Sequence, residues 1–270
     1  MIPSMPASSL AASERNIDVW LAFYLEIVDE RLLSRLRGLL SEAERQQEQR
    51  FHFADDRKRY LVTRAMVRTV LSRYAPVAPV DWTFSPNRYG RPEIASTPEE
   101  ALGLSFNISH TRGLIALGVT RHRALGVDVE NVVARRISMG IANRFFSPAE
   151  VAELSRIPPE QQQERFFEYW VFKESYIKAR GIGLSIPLDQ FSFSFPHERA
   201  VRMAIEPPLG DDASRWSFWQ CRPAPEYLLA ICAERLNGAA PTVTIRKMIP
   251  TETDEALYPQ FLKTSESVGA

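Results

Sequence analysis

Residues 167–179 read FEYWVFKESYIKA, an aromatic-rich segment with the 3.6-residue periodicity of an α-helix. Trp170 and Ile177 lie four positions before and three positions after Glu174, so one face of the predicted helix carries apolar side chains and an acid. A carboxylate on a face that is expected to be buried needs a compensating cation. The helix is expected to end at Gly181, because glycine is the usual C-terminal cap.

A second pair of acids lies upstream, in the predicted strand GVDVE at residues 126–130. Strand alternation directs the two valines to one face and Asp128 and Glu130 to the other, about 6.5 to 7 Å apart at the backbone. Asp128, Glu130 and Glu174 then form a candidate metal site of oxygen ligands, which suits Mg²⁺ and a phosphate-bearing substrate. Taken alone, the strand pair is more often a solvated face, and Glu174 could be a surface partner of Lys178 at i+4.

Composition sets the class of protein. The chain has 270 residues, of which 45% are hydrophobic and 24% charged, which allows one large globular domain or two packed halves. Basic and acidic residues total 33 each, so no overall field favours nucleic acid or an anionic membrane. Residues 1–13 lack a basic leader and no long apolar stretch follows, so we expect a cytoplasmic protein, and a monomer. Cys221 and Cys232 are expected to be reduced core thiols.

The order of predicted elements repeats once along the chain, helices first and then a strand meander. In the first half, a strand at 19–27, helices at 32–50 and 55–74, and strands at 82–85, 104–108, 114–120 and 125–130 are predicted. In the second half, a short helix after Ser147, a helix at 159–180, and strands at 190–195, 216–222, 227–234 and 243–246 are predicted. The fold class is therefore α+β, with two similar halves at 14–125 and 126–250 and flexible tails at 1–13 and 251–270.

Several further side chains are candidates for binding an anion. Lys173 and Lys178 flank Glu174 and could neutralise a phosphate, while Ser109 and His110 end a predicted strand just before a turn. His110 could donate to a phosphate, but a structural histidine is about as common in such a position.

Basic residues also recur on the first long helix and in the turn YGRP at residues 89–92. They are Arg57, Lys58, Arg59, Arg64, Arg68 and Arg91. A solvated face is the more frequent explanation of such a run, and an arginine clamp on a second phosphate is the alternative. Ser147-Pro148-Ala149-Glu150 has the pattern of a capping box, which gives Glu150 a structural role that would compete with a role as a base.

Together these segments resemble the surfactin-type 4′-phosphopantetheinyl transferases. The resemblance rests on NISH at 107–110, GVDVE at 126–130, RFFS at 144–147 and WVFKESYIK at 170–178 followed by GIGL at 181–184, and more loosely on 50–68, 89–92 and 185–188. It implies a pseudo-twofold α+β fold, with coenzyme A and Mg²⁺ bound between the halves.

By matching positions, the resemblance implies a role for each site residue. Asp128, Glu130 and Glu174 would bind Mg²⁺, and Lys173 and Lys178 would contact the coenzyme A phosphates. Ser109 and His110 would bind the 3′-phosphate side, Arg59, Arg91 and Pro92 would lie near the nucleotide, and Glu150 would correspond to a proposed base. The chain departs from the family at Glu44 and Gln47, where basic residues are frequent, and at Thr111, which replaces a serine.

The activity that this resemblance implies is transfer of 4′-phosphopantetheine from coenzyme A to a serine of an apo acyl or peptidyl carrier protein, with release of adenosine 3′,5′-bisphosphate. Glu150, Lys178 or a water could deprotonate the serine. The carrier would dock on the loop and helix that follow Glu130, where apolar side chains mix with arginines; these are Ile137, Met139, Ile141, Phe145, Arg135, Arg136 and Arg144. The alternatives are another Mg²⁺-dependent phosphotransferase and an inactive paralogue that binds coenzyme A or carrier. Which pathway the carrier serves stays open, among fatty acid, polyketide, nonribosomal peptide and lysine synthesis.

Overall fold

The computed structural model describes residues 15–95, 99–134, 136–137 and 139–265. Within these ranges the helices are α1 Glu30–Gly38, α2 Glu42–Arg50, α3 Ala54–Leu71, α4 Ala142–Phe145, α5 Pro148–Arg156 and α6 Pro159–Arg180. The strands are β1 Asn16–Ala22, β2 Phe84–Pro86, β3 Pro92–Ile94, β4 Leu104–Thr111, β5 Leu114–Arg121, β6 Leu125–Asn131, β7 Phe191–Ser194, β8 Ala200–Ile205, β9 Trp216–Cys221, β10 Tyr227–Glu234, β11 Thr242–Ile249, β12 Thr253–Leu257 and β13 Phe261–Ser265. The expected α+β class is confirmed.

Two large sheets organise these elements. The first has the strand order β12-β11-β1-β5-β4 and the second β6-β10-β9-β13-β8-β7, while β2 and β3 form a separate hairpin. Alternating residues of β10 show how the layers stack: Leu228 and Ala230 join the core beneath α6, while Leu229 and Ile231 join a core shared with β1 and β5. The layers therefore run helix, sheet, sheet, helix.

The last strands of the chain correct two predictions about its organisation. Residues 253–265 form β12 and β13, and β13 pairs with β9 and β8 inside the second sheet, so the prediction of a flexible tail from residue 251 is wrong for this stretch. β11 runs parallel to β1 in the first sheet, which means that the 126–250 segment also completes the other half. Residues 1–13 lie outside the described residues. The two sheets differ in strand order, and the pseudo-twofold arrangement stays a prediction.

A smaller difference concerns the predicted helix at 32–50. It is two helices, because Ser41 starts a new capping box in which its hydroxyl accepts from the Glu44 backbone N–H and the Glu44 carboxylate accepts from the Ser41 N–H. The capping box predicted for Ser147 and Glu150 is confirmed at the start of α5. Gly181 ends α6 as predicted, in the left-handed conformation with φ 68°.

The two sheets meet where β4 lies beside β6. Three alternate side chains of β4 accept hydrogen bonds from three alternate backbone N–H groups of β6. The pairs are Asn107 with Val127 at 2.8 Å, Ser109 with Val129 at 3.3 Å, and Thr111 with Asn131 at 3.1 Å. Because β6 pairs with β10 on its other side, this contact satisfies an edge that would otherwise be open, and we call it the seam.

Helix α6 packs directly against the seam. A Cβ atom on Gly126 of β6 would lie 1.9 Å from the backbone oxygen of Ser175, so only glycine permits this approach. Cys221 and Cys232 are free and buried, as predicted. Among the described helices, none combines the length and apolarity that a membrane span requires.

Candidate active site

A line of three partly exposed side chains runs along α6. Between Phe166 and Ala179 every described position is buried except Trp170, Glu174 and Lys178, which are four residues apart and therefore lie on one side of the helix. The remainder of this segment packs between the second sheet and α5. The helix is thus buried almost all round, and the acid that the sequence placed on a buried face lies on its most accessible line.

Trp170 and Lys178 of this line contact Glu130 and Asp128 on one face of β6, and we call the region where the side chains of α6 and β6 meet the cleft. Asp128 is the most constrained side chain there, because its Oδ1 accepts hydrogen bonds from Ser109 Oγ at 2.8 Å and from Lys178 Nζ at 2.7 Å. Lys178 Nζ also donates to Ser109 Oγ at 2.8 Å. The second oxygen of Asp128, Oδ2, is buried and has no hydrogen-bond partner. A buried carboxylate oxygen without a donor is costly unless a cation or ligand supplies one.

Glu174 has a strongly perturbed acidity. Its pKa is raised to about 7 from 4.5, first by burial and then by the negative charge of Asp128, with a smaller contribution from Glu130 and an opposing one from Lys178. The negative charges of Asp128 and Glu130 repel that of Glu174, so it is unfavourable for all three carboxylates to be ionised together. A cation between them would remove the cost, so the electrostatics connect all three acids that the sequence proposed as metal ligands.

The side-chain positions do not by themselves form a closed metal cluster. Across the described part of the chain, no group of three or more His, Cys, Asp or Glu side chains is arranged to hold an ion. The donor chemistry nevertheless fits a hard divalent cation, since oxygen ligands, an unpartnered Asp128 Oδ2 and the raised pKa of Glu174 all favour added positive charge. Mg²⁺ keeps several waters and substrate oxygens as ligands, so it does not need a closed protein cage.

Lys173 and Glu150 lie elsewhere. They form an ion pair of 2.9 Å in which the side chains are 1% and 0% exposed, and Lys173 Nζ also donates to the carbonyl oxygens of Leu188 and Phe191. Glu150 also accepts the N–H of Phe193. Burial lowers the pKa of Lys173, opposed by Glu150. This placement disagrees with the predicted roles of Lys173 as a phosphate ligand and Glu150 as a base, because their polar atoms are already used in the core.

His110 lies within electrostatic reach of Arg59, Lys178 and Asp128. His110 is exposed on one side, and burial on its other sides, followed by the Arg59 guanidinium, lowers its pKa below the ordinary histidine value. Asp56 holds Arg59 at 2.8 Å on the surface of α3. Ser109 next to His110 faces inward, where its hydroxyl serves Asp128, Lys178 and the seam. The structure therefore separates the two neighbours that the sequence grouped together.

Arg91 braces the end of α6. Its Nη1 donates to the carbonyl oxygen of Lys178 at 2.8 Å and its Nη2 to that of Phe106 at 3.0 Å, while Nε is buried without a partner. Burial lowers its pKa. Pro92 begins β3 directly after it. Arg91 therefore ties the helix to β4.

Two arginines of the basic helix have structural partners. Arg64 and Arg68 both pair with Glu44, and Arg68 is only 2% exposed. Glu44 of α2 is thus the counter-ion of two arginines of α3. The solvated face that we favoured is wrong for Arg68, and the pairing with Glu44 gives Arg64 and Arg68 a structural role in place of the alternative clamp on a phosphate. Arg57, Lys58 and Arg59 lie nearer the surface.

Sequence reasoning assigned no role to Trp170 or Asn107, which the structure brings into the site and the seam. Trp170 Nε1 donates to Glu130 Oε1 at 3.1 Å. The signal for Trp170 was its spacing of four from Glu174 and eight from Lys178. The only signal for Asn107 was that it alternates with Ser109 and Thr111 along one strand. Spacing within a strand does not tell which other strand these side chains will contact.

A cluster of three carboxylates, a lysine and a histidine, where α6 packs against β6 and β4, defines a candidate enzyme for a phosphate-bearing substrate. Comparison of the chain with models of known protein families identifies the family. Residues 124–232 match the 4′-phosphopantetheinyl transferase superfamily and residues 29–121 match "4′-phosphopantetheinyl transferase, N-terminal". The chain belongs to the 4′-phosphopantetheinyl transferases, as the sequence motifs predicted.

Individual relatives agree with the family models. The chain is 35% identical over 201 residues to 4′-phosphopantetheinyl transferase ffp of Bacillus subtilis, covering 74% of this chain and 85% of that protein. It is 34% identical over 199 residues to 4′-phosphopantetheinyl transferase Sfp of Bacillus subtilis strain 168, covering 74% and 84%. It is 31% identical over 199 residues to 4′-phosphopantetheinyl transferase HetI of Nostoc, covering 74% and 80%. The expected class of transferase is confirmed.

Proposed function

We propose that the protein transfers 4′-phosphopantetheine from coenzyme A to a serine hydroxyl of an apo acyl or peptidyl carrier protein and releases adenosine 3′,5′-bisphosphate. The observation that carries the proposal is the cluster of Asp128, Glu130, Glu174 and Lys178 in a chain that belongs to this family. In the transfer, the serine oxygen forms a bond to the pantetheine-side phosphorus and the bond to the nucleotide phosphate breaks.

Mg²⁺ is the proposed cofactor, held by Asp128, Glu130 and Glu174, and it would neutralise the charge of the pyrophosphate. The chain's own residues supply the remaining work. Lys178 places a cation at 2.7 Å from Asp128, where it can also offset charge that develops on the leaving phosphate. Arg59 and His110, which lie within electrostatic reach of each other, are the proposed contacts of the 3′-phosphate. Arg91 and Pro92 are proposed to border the nucleotide.

The proton of the attacking serine has fewer candidate acceptors than the sequence suggested. Glu150 is disfavoured, because one oxygen pairs with Lys173 and both accept backbone N–H groups. Lys178 or a water remains as the proposed acceptor.

The carrier protein is proposed to bind beside the cleft, on the surface around α4. Ile141 is 40% exposed, and the Arg144 guanidinium lies over the Phe145 ring at 5.6 Å. Arg136 is exposed nearby, while Arg135 lies outside the described residues. An apolar surface rimmed by arginines fits an acidic partner helix. We further propose that the protein is a cytoplasmic monomer.

Intact mass of the carrier tests the activity directly. The protein, Mg²⁺, coenzyme A and an apo carrier are mixed, and one pantetheine adduct per carrier is expected. Asp128→Asn should lose the adduct, and Arg222→Gln, which removes a charge from a partly exposed ion pair with Glu164, is the control that should keep it. No adduct on any of several carrier types would contradict the proposal. Nucleotide release without an adduct would favour another phosphotransferase, and coenzyme A binding without either product would favour an inactive paralogue.

A further inference from the structure

The Glu130 side chain is held by an indole. Trp170 Nε1 donates to Glu130 Oε1 at 3.1 Å, and the two residues belong to different walls of the cleft, α6 and β6. The backbone of Glu130 is fixed by pairing with Leu228 in β10. Its side chain has three rotatable bonds and two acidic neighbours, whose repulsion would turn it toward solvent. The indole N–H opposes that repulsion.

The orientation of the indole is itself fixed by aromatic packing. The Trp170 ring stacks on Phe166 with centroids 6.3 Å apart and meets the Phe145 ring edge-on at 5.2 Å. Phe166 is only 3% exposed and anchors the pair in the core of the second half. A ring confined on two sides cannot swing without breaking both contacts, so its N–H direction is determined before any ligand arrives.

We propose that Trp170 is a positioning residue, which holds the Glu130 carboxylate in the cleft for a divalent cation and takes its own orientation from Phe145 and Phe166. This inference rests on the proposed function, since it assigns the cation to the three acids. Partners of metal-binding carboxylates commonly change metal affinity about 10- to 100-fold when removed. Trp170 fits that description through a single hydrogen bond.

Equilibrium binding of Mn²⁺, followed by electron paramagnetic resonance without carrier present, tests the inference apart from turnover. Trp170→Phe keeps an aromatic ring for the packing and removes the N–H, and Mn²⁺ binding is expected to weaken about 10-fold. Trp216→Phe is the matched control. Trp216 donates to the carboxylate of Asp211 at 2.9 Å away from the cleft, so the same chemical change there should leave Mn²⁺ binding unchanged.

A double-mutant cycle separates positioning from general damage. In a Glu130→Ala background, Trp170→Phe should add no further loss of Mn²⁺ affinity, because the group it positions is gone. Phe145→Ala should weaken Mn²⁺ binding less than Trp170→Phe, since one of the two rings confining the indole remains. Thermal denaturation of every variant confirms that it is folded at the assay temperature.

The outcomes distinguish this inference from the proposed function. Weakened Mn²⁺ binding in Trp170→Phe alone, absent from the Glu130→Ala background, supports the inference. Equal affinity of wild type and Trp170→Phe would overturn it while carrier modification by the wild type still stood. Equal losses in Trp170→Phe and Trp216→Phe would also overturn it, as an effect of structure in general. A wild type that binds no Mn²⁺ and modifies no carrier would overturn both proposals.

Discussion

Two lysine–carboxylate pairs on α6 have opposite surroundings. Lys173 and Glu150 lie in the core with side chains 1% and 0% exposed, whereas the Lys178 side chain is 25% exposed and pairs with Asp128 in the cleft. Besides the partner, four backbone groups satisfy the polar atoms of the first pair. The second leaves one Asp128 oxygen without a partner. Similar sequence chemistry therefore supports the fold in one place and remains available for a ligand in the other.

The helical angle explains the difference. Lys173 and Lys178 are five residues apart, which turns their side chains about 140° away from each other. Lys178 follows Glu174 by four residues and therefore shares its side, while Lys173 points through the core toward α5. Proximity in sequence to a functional acid does not place a lysine in its cleft. The buried pair, with all its polar atoms bonded, serves the fold, whereas the partly exposed pair keeps one carboxylate oxygen available for a ligand.

Glu150→Ala should produce the largest change in stability. It leaves the Lys173 ammonium buried without its partner, and removing one member of a buried pair costs roughly 3 to 5 kcal/mol. Urea denaturation measures the free energy of unfolding. If Glu150→Ala unfolded like the wild type but lost carrier modification, the pair would be catalytic and the comparison would fail.

Lys178→Ala should have the opposite profile. Its ammonium is partly solvated, and Ser109 Oγ still donates to Asp128 in the variant, so the free energy of unfolding should change less than in Glu150→Ala. Carrier modification should fall by roughly 10²- to 10³-fold, because a cation that stabilises developing charge is lost. Initial rates and urea denaturation of the same preparation check both parts. A stable variant with an unchanged rate would remove Lys178 from the mechanism.

Glu174 gives stability a pH dependence of defined sign. Its pKa is about 7 when folded and 4.5 ordinarily, so the folded protein binds more protons between those values and stability falls as pH rises through this window. The fall from this group should be roughly 1 to 3 kcal/mol without divalent cation. Glu174→Gln should lack it. Thermal denaturation between pH 5 and 8, with wild type minus variant as the readout, isolates this group from His110.

Added Mg²⁺ sharpens the same comparison. The cation should raise the melting temperature of the wild type more at pH 8, where Glu174 is ionised, than at pH 5.5, where it is largely protonated. Glu150→Gln, which alters the buried pair with Lys173, should retain this Mg²⁺ response if the variant remains folded. An equal Mg²⁺ response at both pH values would contradict a site built on Glu174.

The smallest effect is expected at Arg91. Arg91→Lys keeps the charge but offers one ammonium nitrogen in place of the two separate guanidinium nitrogens that donate to Lys178 O and Phe106 O, so the end of α6 should loosen by about 1 kcal/mol. Hydrogen exchange of amides near Lys178 should quicken while those near Lys173 stay protected. Unchanged exchange at both places would show that Arg91 does not brace the helix.

Local patterns explain which parts of the site were predictable. The alternation of GVDVE brought Asp128 and Glu130 to one face, and the i, i+4 relation brought Glu174 and Lys178 to one side of α6. The capping box at Ser147 and the glycine cap at Gly181 were equally local. Such features depend on the geometry of one helix or one strand, which the chain repeats wherever that element forms.

Partners from distant segments were not predictable in this way. The tail predicted from residue 251 became β12 and β13, and β13 lies between β9 and β8, because sheet pairing depends on which edge is open rather than on local polarity. Lys173 was predicted to lie in the cleft, because the sequence does not show that it pairs with Glu150 of another helix in the core. Asn107 bonds to β6 across the seam.

The sequence alone determined the α+β class, the family, and the identity and sidedness of Asp128, Glu130, Glu174 and Lys178, since these follow from short motifs with fixed periodicity. Tertiary structure decided which lysine faces the cleft, that Glu150 serves the core, and that Trp170 holds Glu130. The physical reason is that a hydrogen bond or ion pair needs two partners within about 3 Å. When those partners are far apart in sequence, only folding brings them together.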